Sequence, residues 1–449
     1  MKTLINFPYE KILVLGLAKS GTAAAKLLHE SGKEVRVNDL KADQDSDQVQ
    51  ELTGLGIEVV TGGHPLSVLE GVELLVKNPG IPYENPVVRE AENRKIPIIT
   101  EVELAGRLVN DSIIGITGSN GKTTTTTLIY EMLNQSGCKT QLAGNIGNVS
   151  CEVARNMAED EWMVIELSSF QLLGIDKFKP KISVLLNLFE AHLDYHKSFE
   201  NYKQAKAGIM KNQTEDDFIV FNADDNEIAD IAAHSAAEKV PFSKTKKMPD
   251  GAWCDDKYLY FKTETVISLK DIVLVGSHNL ENIMAAVSAA KLSGADNEGI
   301  RQVLNTFTGV KHRLQFVSNV NGRLFYNDSK ATNILATSKA LSSFSQPTIL
   351  LAGGLDRGGS FADLIPSLEF VKAVIVFGET ADKIAETASD AGIKTIEYAK
   401  NVEEAARKAY QLSLEEDVIL LSPACASWDQ YRTFEERGDM FMQAVHTLE

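Results

Sequence analysis

Residues 118–124 read Gly118-Ser119-Asn120-Gly121-Lys122-Thr123-Thr124. The two glycines let backbone N–H groups turn inward on an anion, and a helix starting just after them aims the positive end of its dipole at the same point. Lys122 can reach the outer phosphates of a nucleotide, and the Thr123 hydroxyl can hold Mg²⁺. The strict phosphate-loop spacing needs a glycine where Ile116 stands, so this is a variant of that loop. A glycine turn beside a chance Lys-Thr pair is the alternative. The strand before the turn and the helix after it weigh against that.

Other candidates surround it in sequence. Glu166 ends the run WMVIEL. A carboxylate at the end of a strand beside such a loop suits Mg²⁺, directly or through water, or else a structural hydrogen bond. His192-Leu193-Asp194-Tyr195-His196 has transition-metal spacing, although such loop side chains commonly stay solvated or cap a helix. Lys206 falls on a helical stretch, where a lone lysine is ordinarily a solvated charge. A second glycine turn, Gly16-Leu17-Ala18-Lys19-Ser20-Gly21, follows the first strand and approaches the dinucleotide fingerprint. Ala18 stands where the middle glycine belongs, which argues against an NAD enzyme. Asp39 ends the next strand, where an acid commonly meets a ribose or base.

Positioning these residues requires strand–helix units. KILVLGL (11–17), EVRVND (34–39), GIEVV (56–60), ELLVKN (73–78) and IPIIT (96–100) read as strands, with a helix at 22–32. A second unit runs from SIIGITGSNGKTT through WMVIEL, ISVLLNL and DFIVFNA. Residues 244–275 alternate like an antiparallel excursion, and 278–294 read as helix. After a linker at 306–315, a hairpin and the strands PTILLAGG, KAVIVFG, IKTIEY and DVILLSP form a third. The expectation is three α/β domains with parallel sheets, 1–105, 106–308 and 309–449.

With 45 Lys and Arg against 62 Asp and Glu, the net charge is −17. That argues against nucleic acid or an anionic membrane as partner, while leaving room for a local cluster that holds a phosphorylated small molecule. The longest apolar runs, such as 12–15 and 418–421, fall far short of the roughly 18 residues of a membrane span. No signal-peptide stretch opens the chain, so a cytoplasmic protein is expected. The four cysteines have no CxxC spacing, which disfavours a disulfide framework or zinc.

TGSNGKTT, GNIG (144–147), ELSSFQ (166–171), HLDYH (192–196), YKQAK (202–206), HNLEN (278–282), HR (312–313), NDSKATN (327–333), GGLDRG (353–358) and SPACASWD (422–429) occur in that order along the whole chain. Together they resemble the Mur ligases of peptidoglycan synthesis, and the last two resemble the branch that adds D-glutamate. The resemblance implies a Rossmann-like domain for a UDP-linked substrate, a central P-loop ATPase-like domain with a parallel sheet, and a Rossmann-like C-terminal domain. It implies an amide ligase that uses ATP and two Mg²⁺ ions to activate the carboxylate of UDP-N-acetylmuramoyl-L-alanine as an acyl phosphate. The amine of D-glutamate then attacks through a tetrahedral intermediate.

By motif, ATP falls to Gly118, Ser119, Asn120, Gly121, Lys122, Thr123, Thr124, Thr125, Asn279, Asn282, Arg313 and Asp328, so it would bridge domains two and three. Thr123 and Glu166 match the first metal; His192 and Lys206, as a CO₂-derived carbamate, match the second. The UDP substrate falls to Gly16, Leu17, Ala18, Lys19, Ser20, Gly21, Asp39, Asn78, Pro79, Gly80 and Asn145. The amino acid falls to Lys330, Thr332, Arg357, Ser427 and Phe434; Arg357 is the assignment least fixed by motif, since other members carry lysine in a differently spaced loop. A monomer is expected. A neighbouring amide ligase for L-alanine or a diamino acid, a folylpolyglutamate-type synthase, and a nucleotide-regulated binding protein without chemistry are the competing readings. Glu166, His192 and Lys206 are all present, which disfavours the last.

Overall fold

The computed structural model describes residues 1–274 and 276–448. Packing divides the chain into two compact units, Met1–Ile272 with Ser277–Thr306, and Val273–Gly276 with Phe307–Glu449. The first unit contains two sheets. Strands β1 (Lys11–Leu15), β2 (Glu34–Asp39), β3 (Glu58–Thr61), β4 (Leu74–Lys77) and β5 (Ile98–Ile99) form a parallel sheet in the order β3-β2-β1-β4-β5. Strands β6 (Ile113–Thr117), β7 (Thr140–Gly144), β8 (Trp162–Glu166), β9 (Ile182–Leu185), β10 (Phe218–Asn222) and β11 (Glu238–Ser243) form a second parallel sheet. It continues into β12 (Ala252–Cys254), β13 (Tyr258–Phe261) and β14 (Glu264–Ser268), the last two antiparallel, giving the order β14-β13-β12-β11-β10-β9-β6-β8-β7. Within the alternating segment expected at 244–275, strands β12 to β14 form this antiparallel extension.

The two sheets of the first unit share one hydrophobic core. Leu27, Val37, Val102 and Leu104 pack in the same cluster as Ile113, Met163, Ile165 and Phe178. An apolar seam of this kind explains why the two stretches, read as separate domains in the sequence, pack as one unit. Polar side chains lock the seam. Glu103, fully buried on the helix Glu101–Gly106, accepts from the backbone N–H groups of Asp176 (2.8 Å), Lys177 (2.9 Å) and Phe178 (2.9 Å). Its neighbour Glu101 is also buried and accepts from the Cys151 N–H; burial pushes its carboxyl up to about 7.

In the second unit, β15 (Gln315–Val320) and β16 (Arg323–Asn327) form the expected hairpin. Strands β17 (Thr348–Gly353), β18 (Val371–Phe377), β19 (Thr395–Tyr398) and β20 (Val418–Leu421) run parallel, in the order β15-β16-β20-β17-β18-β19. Continuous apolar runs fit a sheet buried on both faces. Leu350, Val374 and Leu420 serve one cluster, while their neighbours Ile349, Ile375 and Ile419 serve the other. No helix among the described residues is long and apolar enough to cross a membrane.

One helix begins earlier than its sequence pattern suggests. The helix expected at 22–32 spans Lys19–Glu30, so Lys19, Ser20 and Gly21 form its first turn. Gly21 is tolerated there because a Cβ would sit 1.9 Å from the Gly16 carbonyl oxygen. The close approach, rather than a special backbone angle, requires glycine.

The Glu103 network gives a stability test. Glu103→Ala leaves the buried Phe178 N–H and the more exposed N–H groups of Asp176 and Lys177 without this acceptor, and Arg107 without its partner, and should lower unfolding free energy by roughly 1–3 kcal/mol. Glu103→Gln keeps one acceptor oxygen and should lose about half as much. Denaturant melts of the three proteins check this; an Ala variant as stable as the parent contradicts the seam's dependence on Glu103.

Candidate active site

The phosphate loop lies between β6 and the helix Lys122–Gln135, at the carboxyl end of a central parallel strand. Gly118 and Gly121 have φ of 156° and 81°, and both are crowded. A Cβ on Gly118 would lie 2.9 Å from Leu186 Cβ; on Gly121 it would lie 2.1 Å from Asn282 Oδ1. Glycine at 121 thus serves both the left-handed turn and the approach of a helix. Asn187, which sequence reasoning missed, holds the loop from the next strand's end. Its Oδ1 accepts from the Asn120 N–H (2.9 Å), and its amide donates to the Asn120 carbonyl (3.2 Å). Asn279 and Asn282 are buried and linked, Asn282 Nδ2 donating to Asn279 Oδ1 at 3.2 Å, so the pair backs the loop at Gly121.

Behind the loop, Glu166 ends β8, only 2% exposed. Thr123 Oγ1 donates to its Oε2 (2.8 Å), and Asn145 Nδ2 donates to its Oε1 (2.9 Å). The triangle places the hydroxyl and carboxylate expected of one metal site together. Lys122 Nζ donates to the carbonyls of Gly118 (2.8 Å) and Ser119 (3.0 Å). Thr124 is buried at the helix start. Thr125 is wholly buried, its hydroxyl has no hydrogen-bond partner, and its N–H is taken by the Gly121 carbonyl. In this structure it takes part in the first turn of the helix.

The other half of the centre comes from the helix Phe199–Ala207, capped by Ser198. Lys206 is 1% exposed, far from the solvated charge that a lone helical lysine suggests. Its Nζ donates to the Gly118 carbonyl (2.8 Å) and Thr117 Oγ1 (3.3 Å), and lies 4.8 Å from the Tyr202 ring. Burial pushes its pKa well below the ordinary value; Lys122 adds to this, and Glu166 opposes it. His192 is exposed, with φ 55°, and its ring meets that of Phe170 at 5.0 Å. Burial lowers its pKa despite Asp194, with Lys122 and Lys206 helping, so the imidazole is neutral at pH 7 and free to ligate. The second histidine of the HxDxH segment, His196, is buried, and its Nε2 is hydrogen-bonded to Ser169 Oγ (2.9 Å). That bond makes it a packing residue.

Among the described residues, no three His, Cys, Asp or Glu side chains form a ready metal cage. Mg²⁺ does not demand one, since it takes one or two carboxylates plus substrate phosphates and water. The Thr123–Glu166 pair fits that pattern. His192 and Lys206 fit a hard cation only if Lys206 carries an anionic group, because an ammonium would repel it.

At the first sheet, Gly16 (φ 99°) packs on Asn78, where a Cβ would lie 2.9 Å from Asn78 Cβ. Asn78 Nδ2 reaches Ser20 Oγ (3.2 Å), and Gly80 N donates to Asn78 Oδ1 (3.1 Å). The two turns expected at the UDP-linked substrate are therefore side by side. Asp39 holds the first of these turns from the end of β2. Its oxygens accept backbone N–H groups from Leu17 (2.7 Å), Lys41 (2.7 Å) and Ala42 (2.8 Å). Burial raises its pKa, but these bonds outweigh that and leave it below the ordinary value. It braces the turn that contains Leu17 and leads into Ala18 and Lys19.

In the second unit, Thr332 and Arg357 line a cavity of about 680 Å³ with Ser338, Ser360 and Ala426. Arg357 lies over the exposed Trp428 ring at 5.2 Å. Lys330 sits 5.7 Å from the Phe434 ring, which is half-buried at the start of a helix and so is no core residue. Ser427 is buried, and its hydroxyl lacks a partner. Arg313 is exposed. Asp328 is buried, accepts from Ser422 Oγ (2.8 Å) and the Leu314 N–H (3.1 Å), and is pushed up to about 7 by burial. Arg437, unsuspected from sequence, is buried without exposure and donates to Ser329 O (2.9 Å), Cys425 O (3.0 Å) and Gly353 O (3.4 Å). It thereby ties the NDSKATN, GGLDRG and SPACASWD loops. An arginine three residues after Phe434 was the only sequence signal.

These features define an α/β enzyme with a phosphate-binding loop backed by a buried carboxylate. Residues 116–290 match the Mur ligase middle domain, 312–425 the Mur ligase, glutamate ligase domain, and 10–100 the Mur ligase MurD-like, N-terminal domain. The chain belongs to the Mur ligase family. Relatives named UDP-N-acetylmuramoylalanine--D-glutamate ligase from Oceanobacillus iheyensis and Geobacillus kaustophilus are 58% and 60% identical, with 100% of each chain covered. The fold is similar to that of the UDP-N-acetylmuramate-alanine ligase MurC from Thermotoga maritima (TM-score 0.57, 17% identity, 98% of this chain and 100% of that one). It is also similar to that of MurF ligase from Thermotoga maritima in complex with ADP (TM-score 0.55, 17% identity, 100% and 98%).

Lys122→Ala removes the loop's cation but keeps its backbone N–H groups. Turnover should fall about a hundred- to a thousandfold, with a much smaller loss of nucleotide affinity by calorimetry. Near-normal turnover would remove Lys122 from the phosphate site.

Proposed function

We propose that this chain joins D-glutamate to UDP-N-acetylmuramoyl-L-alanine in the cytoplasm, with ATP giving ADP and phosphate. The observation that carries the reading is the convergence of Lys122, the Thr123–Glu166 pair, and a buried Lys206 on one phosphate loop. Full-length relatives at 58–60% identity that bear the corresponding name support the choice of substrates.

In this reading the alanine carboxylate oxygen attacks the γ-phosphorus of ATP, and the bond to ADP breaks. The D-glutamate amine then attacks the acyl carbon, and phosphate leaves with the original carboxylate oxygen. Lys122 and the N–H groups of the glycine loop hold charge that builds on the transferring phosphoryl group. Mg²⁺ held by Thr123 and Glu166, and by His192 with Lys206, would neutralise phosphate oxygens. Asn145, by holding Glu166 Oε1, keeps the carboxylate aimed at the loop. Arg313 and Asp328 are assigned to ATP by the family motif alone. The turns 16–21 and 78–80 receive the UDP moiety. Lys330, Thr332, Arg357, Ser427 and Phe434 receive D-glutamate, whose two carboxylates suit a guanidinium, an ammonium and hydroxyl donors.

The lowered pKa of Lys206 supports a carbamate. A neutral amine attacks CO₂ and yields an anion with two oxygens, which a hard cation prefers. The amine gives up one proton on forming the carbamate and keeps one N–H on the same nitrogen, which can still donate to the Gly118 carbonyl while the two new oxygens serve a cation.

Two experiments test the reading. Incubation with UDP-N-acetylmuramoyl-L-alanine, Mg²⁺-ATP and single amino acids should release ADP and give a new product mass with D-glutamate; product only with another amino acid overturns the acceptor. Lys206→Arg keeps the charge but cannot form the carbamate, so activity should fall at least about a hundredfold. Lys206→Glu, with carboxylate oxygens on a shorter stem, should retain more. Full activity of the Arg variant overturns the carbamate.

A further inference from the structure

Lys77 is the last residue of β4 and is 1% exposed. Among the described residues no carboxylate forms an ion pair with it. Its Nζ instead donates to the carbonyls of Ile81 (2.7 Å), Pro79 (3.2 Å) and Asn78 (3.3 Å), and to Tyr195 Oη (3.1 Å). The Tyr83 and Tyr195 rings lie 4.9 and 5.8 Å from it. The side chain thus folds back into the loop that follows it, and the loop closes around it as around a bound cation.

The sequence makes this loop rich in acceptors that suit a cation. In Asn78-Pro79-Gly80-Ile81-Pro82, two of the three carbonyls belong to X–Pro peptides, which have no N–H of their own. These half-buried carbonyls share donors: that of Asn78 also accepts the Ile81 N–H, those of Pro79 and Ile81 also accept the Tyr195 phenol, and the ammonium donates to all three. Burial alone pulls its pKa down to about 8, which is the cost of placing a charge there unpaired.

Two segments meet at this ammonium. On one side is the 78–80 turn, which Asn78 ties to Gly16 and Ser20. On the other is Tyr195, three residues after His192. Tyr195 Oη also lies 3.1 Å from the Ile81 carbonyl, and its ring meets Phe170 at 4.5 Å, which in turn meets His192. We propose that Lys77 is a positioning residue, which fixes the 78–81 turn for the UDP-linked substrate and fastens the His192 segment to it. The inference rests on the proposed placement of that substrate.

The test is steady-state kinetics of Lys77→Met, which keeps length and removes the charge. KM for UDP-N-acetylmuramoyl-L-alanine should rise about tenfold or more, while KM for ATP stays within about twofold. Tyr195→Phe keeps the ring and removes the phenol; it should raise the same KM about threefold, and the double variant should be no worse than Lys77→Met alone. An unchanged KM for the UDP substrate, an equal rise for ATP, or a lowered Tm with both constants unchanged overturns the role. If Lys77→Met does not fold, an unchanged KM in Tyr195→Phe overturns it alone. A parent enzyme that makes no product from this substrate would instead overturn the proposed function.

Discussion

Lys122 and Lys206 each place Nζ 2.8 Å from one oxygen, the carbonyl of Gly118. Two ammonium groups sharing one acceptor repel each other, and Lys122 helps to push the Lys206 pKa down. Lys206 cannot shed the repulsion into water, because the fold buries it between the loop and Tyr202. Burial and Lys122 together push its pKa well below the ordinary value. A buried lysine with its pKa pushed down, beside a phosphate loop, is poised to give up its proton for chemistry. The rest of the first unit maintains this crowding: Asn187 pins the loop, Gly118 and Gly121 allow Leu186 and Asn282 to press on it, and Asn145 and Thr123 fix Glu166 behind it.

The shared core of the first unit gives that arrangement a rigid base. Glu103 stitches the helix Glu101–Gly106 to residues 176–178, and Lys77 stitches the end of β4 to Tyr195. Both are buried charged groups held largely by backbone partners, although Glu103 also pairs with Arg107 at 2.8 Å and Lys77 also donates to the Tyr195 phenol. Such groups contribute less to net stability than apolar packing would, but they tolerate only one geometry. The second unit repeats the device with Arg437, whose guanidinium holds three loops by their carbonyls.

Much of the site was legible because its chemistry is local. The order glycine, glycine, Lys122, Thr123 after an apolar run specifies a strand, a turn and a helix start within about ten residues, and β8 ending at Glu166 follows from its apolar pattern. The burial of Lys206 was not legible: nothing within its own helix reveals that residues 117 and 118, nearly ninety positions earlier, cover it. Lys77 was hidden as the polar end of an apolar strand, its phenol partner lying 118 positions away. The bracing role of Asp39 was not legible, because an acid at that strand end can serve a ligand, the turn's own N–H groups, or both, and the turn contacts appear only on folding. Thr125 follows the phosphate loop in sequence, but helical rotation carries it into the core.

The account stands on activation of a carboxylate by phosphoryl transfer at this loop. Oxygen-18 placed in the alanine carboxylate of UDP-N-acetylmuramoyl-L-alanine tests that directly, with the released phosphate analysed by mass after turnover with D-glutamate. The account predicts that each phosphate formed from labelled carboxylate carries one labelled oxygen, because the bond from carboxylate oxygen to phosphorus survives when the amine displaces it. Product formation with unlabelled phosphate would contradict it.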